Sequence, residues 1–321
     1  MPAEWEPIAR VYVTHPHNPL TWPNRLAEAQ RQFEELVRTM RQYVDVQSTQ
    51  ELGIPTNDSW IRDYGPIFVV NEAGELACHD FIFNCWGNKY EPYDDDNVVP
   101  QHIAARYEYP IWIHNFVLEG GSIEVNGKGT VMTTEQCLLN PNRNSHLQRE
   151  EIEMMLHETL GTSHVIWLPG GIEGDDTDGH IDDVARFIRE GTVAAIRAPE
   201  GHPDYDVLER NWKILQLART EQGRKLDLVE LPVPDPISYD FPADEFGPGG
   251  TRLVPASYAN FLIANEAVFV PIFGQRHDEV ALRRLEQAMP DHRIIGVRSE
   301  HLVIGLGGIH CLTMQQPLTK S

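Results

Sequence analysis

One arrangement of short segments returns five times along this chain, and it restricts the fold more than any single motif. The unit is strand, turn, strand, helix, strand. Ile67-Phe68-Val69-Val70 runs into the turn Asn71-Glu72-Ala73-Gly74, with Trp60-Ile61-Arg62-Asp63-Tyr64-Gly65-Pro66 just before it. Phe116-Val117-Leu118-Glu119-Gly120-Gly121 precedes Ser122-Ile123-Glu124-Val125, a turn at Asn126-Gly127 and Thr130-Val131-Met132. Gly179-His180-Ile181-Asp182 precedes Val184 to Ile188, a turn at Glu190-Gly191 and Val193 to Ile196. Ser257-Tyr258-Ala259-Asn260 precedes Phe261-Leu262-Ile263, a turn at Asn265-Glu266 and Val268-Phe269-Val270. The fifth copy is Gly307-Gly308-Ile309-His310-Cys311-Leu312-Thr313, which the C-terminus is expected to cut short.

Apolar residues at helical spacing lie between the copies: Ile152, Met155, Leu156 and Leu160; Leu208, Trp212 and Leu215; Ala281, Leu285 and Ala288. Each group leads into a short strand, at Val165 to Trp167, Leu226 to Val229 and Arg293 to Val297. At the start, Val11 to Thr14 reads as a strand and Phe33, Leu36, Val37 and Met40 mark a helix within 24–43. Asn24 is its expected N-cap, and Val44 to Val46 is the strand that follows. From Asp63 to Glu119, His180, Asn260 and Cys311 the steps are 56, 61, 80 and 51 residues. Repeats of that length close or stack rather than form independent domains. The expectation is an α/β fold of one domain over residues 1–321. Its five units would close or stack as one repeat architecture, and Pro232 to Gly250 would be a long loop within it.

If the units close, the same point of each faces the middle, and one polar residue per copy enters a shared cavity. Taken singly, each of these residues has a plain structural reading: Asp63 as a cap, His180 as a surface histidine, Cys311 as a buried thiol. The acidic run 175–183 fits no calcium loop, because position six from Asp176 is Ile181 and position twelve is Phe187. His180 and Asp182 lack a further nearby His or Cys for a metal, and Gly305 to His310 is no dinucleotide fingerprint. Neither a phosphate loop nor a Gly-x-Ser-x-Gly elbow occurs. Together the residues suit attack on a planar cationic carbon. Carboxylates grip a guanidinium through paired, charge-assisted hydrogen bonds, a thiolate attacks, and a histidine moves the protons.

Composition bounds the partners. The net charge of −22 speaks against nucleic acid and permits a small cation. No stretch approaches the roughly 20 apolar residues of a membrane helix, and Met1-Pro2-Ala3-Glu4-Trp5-Glu6 lacks the features of a signal peptide. A cytoplasmic enzyme is the expectation, with a homo-oligomer left open. The cysteines at 78, 85, 137 and 311 form no Cys-x-x-Cys pair and are expected to be reduced.

Several blocks in order resemble the agmatine deiminases, in the bacterial-type peptidylarginine deiminase family of the pentein superfamily. They are Trp60 to Asp63, Glu119-Gly120-Gly121, Asp178 to Asp182 and Gly308 to Cys311. Further blocks are Met1 to Pro7, His15 to Asn18, Phe83 to Tyr90, Leu138 to Asn144 and Gln315 to Pro317. The resemblance implies a five-bladed α/β propeller without metal or organic cofactor. It implies hydrolysis of agmatine to N-carbamoylputrescine and ammonia through an amidino-thioether on Cys311. By the same resemblance His180 is the general acid and then base, and Asp63 and Asp182 grip the guanidinium. Glu119 orients His180, Trp60 packs on the substrate's stem, and Asn260 lines the pocket. The chain departs from the family pattern at Gly308, Gly171 and Asp183. Rival readings are a deiminase of free or peptidyl arginine, and a non-catalytic propeller that binds polyamines.

Overall fold

The computed structural model describes residues 1–243 and 249–319. Five three-stranded sheets carry the architecture, each built to one plan: a central strand pairs antiparallel with one neighbour and parallel with the other. In chain order the first four are Ile67–Val70, Leu76–Ile82 and Ile111–Val117; Glu124–Val125, Thr130–Thr134 and His164–Leu168; Ala185–Arg189, Thr192–Arg197 and Asp227–Pro232; and Leu262–Ala264, Ala267–Ile272 and Arg293–Arg298. A parallel pair needs a crossover, and Val99–Tyr107, Arg149–Leu160, Tyr205–Leu217 and Asp278–Ala288 supply it as helices. The repeat read from the sequence is therefore present element by element.

The fifth copy is not cut short. Its strand Thr313–Pro317 pairs antiparallel with Ile8–Val13, which pairs in parallel with Asp45–Ser48. The N-terminal segment thus completes the sheet that the cysteine segment begins, and Leu26–Met40 is its crossover helix. That helix buries Ala29, Phe33, Leu36, Val37 and Met40 on one face, the spacing that forms a helix against a sheet. Asn24 is not its N-cap: Arg25 holds that position without a side-chain cap, and Asn24 sits at φ 58°. An asparagine accepts this left-handed turn better than most residues, which moves the helix start one residue on.

Pro232 to Gly250 is only partly a loop. Ser238–Phe241 pairs antiparallel with Gly250–Leu253 in a two-stranded ribbon, with residues 244–248 outside the described ones. This insertion lies within the 80-residue step between His180 and Asn260 and lengthens it. The central strands are buried on both faces, as in Ala267–Ile272, and the buried apolar residues of all five units form one contiguous cluster. Short helical turns precede the first strand of several units: Ile61–Tyr64, Gly120–Ser122 and Ile181–Asp183. They carry Asp63 and Asp182, with Glu119 and His180 at their N-terminal edges.

Candidate active site

A cavity of about 620 Å³ opens beside the first of these turns, and Trp60, Asp63, Trp86 and Cys311 line it. Cys311 stands in the loop leading to Thr313–Pro317, 4% exposed. Its thiol faces Asp182 Oδ2 at 3.7 Å, and Asn260 Nδ2 donates to Sγ at 3.2 Å. Burial pushes the Cys311 thiol well above its ordinary pKa, and Asp182, Asp183 and Asp63 add to the rise.

Gly121 marks the point where three functional side chains converge. A Cβ there would lie 2.5 Å from His180 Nδ1, 2.8 Å from Asp63 Oδ1 and 3.2 Å from Asp182 Oδ2. Only a residue without a side chain lets them come together. Asp63 Oδ1 accepts from the Gly121 amide at 3.0 Å, and Oδ2 accepts from Trp86 Nε1 at 3.0 Å. Burial pushes Asp63 up to about 6, helped by Asp182 and Glu119 against the pull of His180. Asp182 moves the other way: burial opposes its charge, but His310, His180 and Arg186 overcome that and hold it below the usual carboxylate range.

His180 is fully buried with Asp63 Oδ1 3.6 Å from Nδ1, and neither ring nitrogen has a well-formed hydrogen bond. Burial disfavours the imidazolium, yet Asp63, Cys137 and Glu119 outweigh it and hold the His180 pKa well above normal. Glu119 receives Arg143 Nε on Oε1 at 2.6 Å, while its Oε2 is unpartnered. The fork of Arg143 also reaches Asp178 at 2.8 Å, tying the turn before His180 to Glu119. Trp60 stacks on Trp22 at 5.3 Å and packs against Gly307, with its indole on the cavity wall.

Asn260, like Glu119, His180 and Asp182, is not among the residues that line the cavity; its Oδ1 accepts from the backbone of His310 at 2.8 Å and its Nδ2 also donates to Asp183 Oδ1 at 3.0 Å. A Cβ on Gly308 would fall 2.3 Å from Asn260 Oδ1, so the glycine makes room for this contact. At Gly171 a Cβ would fall 2.4 Å from Gly179 Cα, which leaves no space for a larger residue. Burial, with Asp182 and Asp175, holds Asp183 well above a normal carboxyl.

The acidic run is neutralised from within. Asp175 accepts from the backbone amides of Thr177 and His180, Asp178 pairs with Arg143 and Lys89, and Asp176 meets the Tyr90 hydroxyl. Among the described residues two clusters bring three ligand-type atoms within 4.8 Å: Glu119, Cys137 and His180, and Asp182, Asp183 and Cys311. His180 and Asp182 fall in different clusters.

Sequence reasoning passed over Trp86, Arg143, Arg186, Cys137, Glu4 and His310 as site residues. Four of them lay inside blocks that carried the resemblance, Phe83 to Tyr90, Leu138 to Asn144, Met1 to Pro7 and Gly308 to Cys311. That placement was the available signal.

The family model of the Porphyromonas-type peptidyl-arginine deiminases matches residues 1–317. The chain belongs to this family. The deiminase relatives cover it end to end. It is 36% identical over 353 residues to the agmatine deiminase of Ectopseudomonas mendocina, covering 99% of this chain and 95% of that one. The agmatine deiminase of Enterococcus faecalis, solved catalysing its reaction, superimposes with a TM-score of 0.94 at 34% identity, over 99% of this chain and 95% of that one. A cysteine-to-serine variant of the C. jejuni agmatine deiminase with substrate bound gives 0.88 at 34% identity, over 99% and 96%.

Proposed function

We propose that this protein is an agmatine deiminase, hydrolysing agmatine to N-carbamoylputrescine and ammonia with Cys311 as nucleophile. One observation carries the reading: the Cys311 sulfur sits on the cavity, 3.7 Å from Asp182, beside a point shared by Asp63, Asp182 and His180. Likeness to named agmatine deiminases along nearly the whole chain supports the substrate.

The charges of the site set the order of events. The guanidinium of agmatine enters with its N–H groups donating to Asp182 and Asp63, and Trp60 covers the alkyl stem. The bound cation offsets the three carboxyl groups that hold the Cys311 pKa up, so the thiol releases its proton only when substrate is in place. The thiolate attacks the guanidinium carbon, and the Asn260 amide donating to sulfur steadies the anion beforehand. His180, kept protonated by Asp63, Cys137 and Glu119, gives its proton to the departing ammonia. An S-alkylthiouronium remains on Cys311. The neutral His180 then takes a proton from water, whose hydroxide adds to that carbon, and collapse breaks the C–S bond, passes the hydroxyl proton to the departing sulfur and releases N-carbamoylputrescine with the Cys311 thiol restored. No metal or organic cofactor takes part in these steps.

We read the five sheets as blades of one propeller in a single domain, supported by their common plan and continuous core. A cytoplasmic setting follows from the family reading; no helix among the described residues is long and apolar enough to cross a membrane.

A second reading rests on Arg252, a cation on the cavity wall with its guanidinium 4.5 Å over the Phe241 ring. It offers a partner to a carboxylate, as in free arginine or a C-terminal arginine. Against it stands the excess of acidic groups on the same wall, where Glu91 joins Asp58, Asp96 and Asp176, the last three with pKa values raised by burial. Incubation with agmatine and with arginine, assayed for ammonia and ureido product, separates the readings. Preferred turnover of agmatine supports the proposal. Absence of turnover of either from folded protein overturns it and leaves the non-catalytic reading.

A further inference from the structure

A buried chain of polar groups leads away from Asp182 and ends on the N-terminal loop. Asp182 Oδ2 is 2.7 Å from His310 Nδ1, and His310 Nε2 is 2.7 Å from Glu4 Oε2. The other oxygen of Glu4 receives Arg186 Nη2 at 2.8 Å and the Ile263 amide at 2.8 Å. Asp182, His310, Glu4 and Arg186 are all buried. Asp182 Oδ1, by contrast, has no hydrogen-bond partner among the described residues.

We propose that His310 and Glu4 are positioning residues of the catalytic centre, Glu4 fixing His310 and His310 fixing Asp182 toward the guanidinium. The inference rests on the function proposed above.

Two physical consequences support it. A carboxylate held at 2.7 Å cannot swing, so Oδ2, which also faces the Cys311 sulfur at 3.7 Å, keeps one direction toward an incoming N–H. The second concerns charge. Two 2.7 Å contacts need two protons, shared among two carboxyl groups and one imidazole. Wherever those protons sit, the three groups together carry one negative charge. Without Glu4 the same two protons on His310 would cancel Asp182, and the site would lose its pull on a cation. A buried pair is costly unless every member is satisfied, and here Arg186, Arg62 and the Ile263 amide complete Glu4. The N-terminal segment therefore does more than complete a sheet.

The test uses two alkylating reagents of one shape on the full chain: chloroacetamidine, which is cationic, and chloroacetamide, which is neutral. Their ratio of labelling rates at Cys311 reads the grip on the cation and not the fitness of the thiol. In His310→Gln and Glu4→Gln that ratio is expected to fall about 10- to 100-fold, the size usual for removing a group that orients a contact residue. The chloroacetamide rate should change by no more than about twofold, and KM for agmatine should rise more than kcat falls. The double variant should be no worse than His310→Gln alone, because Glu4 acts through His310. Glu4→Asp, which keeps the carboxylate, should recover part of the ratio and covers the case in which Glu4→Gln does not fold. An unchanged ratio in folded His310→Gln overturns the proposal, as does additivity in the double variant. If the wild type discriminates between the reagents but does not turn over agmatine, the functional reading fails while the positioning role stands.

Discussion

Asp63 and Asp182 flank one small space above Gly121, yet the two sides of that space are built differently. On the Asp63 side the donors are neutral, an amide and an indole, and burial wins: the carboxyl is pushed up to about 6. On the Asp182 side stands His310, backed by Glu4 and with Arg186 nearby, and the carboxyl is held below its ordinary range. The same residue type thus receives opposite treatment within one site. A pair of this kind teaches that the groups behind a carboxylate decide its charge, more than the depth at which it lies. Asp182 is the fixed anion. Asp63 is the one burial pushes up, to about 6.

The comparison can be broken at several points. Cys311→Ser removes the group both sides serve, so turnover should fall by roughly four or more orders of magnitude while agmatine still binds, read by calorimetry. Asp182→Asn should cost about 10²- to 10⁴-fold in kcat/KM, and more than Asp63→Asn, because it also unlinks His310. Thermal melts should separate them further. Asp63 has a raised folded pKa, so its contribution to wild-type stability declines as pH rises from 3.8 to about 6. Asp63→Asn should therefore gain in Tm relative to wild type across that window. Asp182 has a lowered folded pKa, so its contribution is present above 3.8 and is lost as pH falls through the folded value. Asp182→Asn should lose Tm relative to wild type at neutral pH, and lose less in acid.

Smaller changes sharpen the picture. Asn260→Ala deletes a donor to the sulfur, a bond to a developing anion worth about 1.5–3 kcal/mol, and should slow chloroacetamide labelling of Cys311 about tenfold or more. Trp86→Phe removes only the indole N–H from Asp63 and should raise KM a few-fold, with the cavity shape kept.

The units and the residues at their tips were legible because each copy repeats a local pattern: apolar strand, turn, apolar strand, with Asp63, Glu119, His180, Asn260 and Cys311 at matching points. Period and turn chemistry act over a few residues, and sequence records them well. What supports those tips was not legible. Glu4 meets His310 across 306 positions, and no spacing rule joins an N-terminal loop to the residue before Cys311. The fifth sheet looked truncated for the same reason, since its missing strands come from the other end of the chain. The ribbon at Ser238–Phe241 and Gly250–Leu253 was read as loop because proline and glycine dominate its flanks and its strands are only four residues long. Asn260 was placed among the substrate contacts, whereas its amide is spent on Cys311, Asp183 and the His310 backbone.

The central claim is that the sulfur of Cys311 bonds to the guanidinium carbon of agmatine. Acid quench during turnover, followed by mass spectrometry of the Cys311 peptide, tests it directly. The account predicts an adduct on Cys311 of agmatine less ammonia, absent from Cys311→Ser and from Cys78, Cys85 and Cys137. Turnover at the full rate with an unmodified Cys311, or an adduct on another residue, would contradict it.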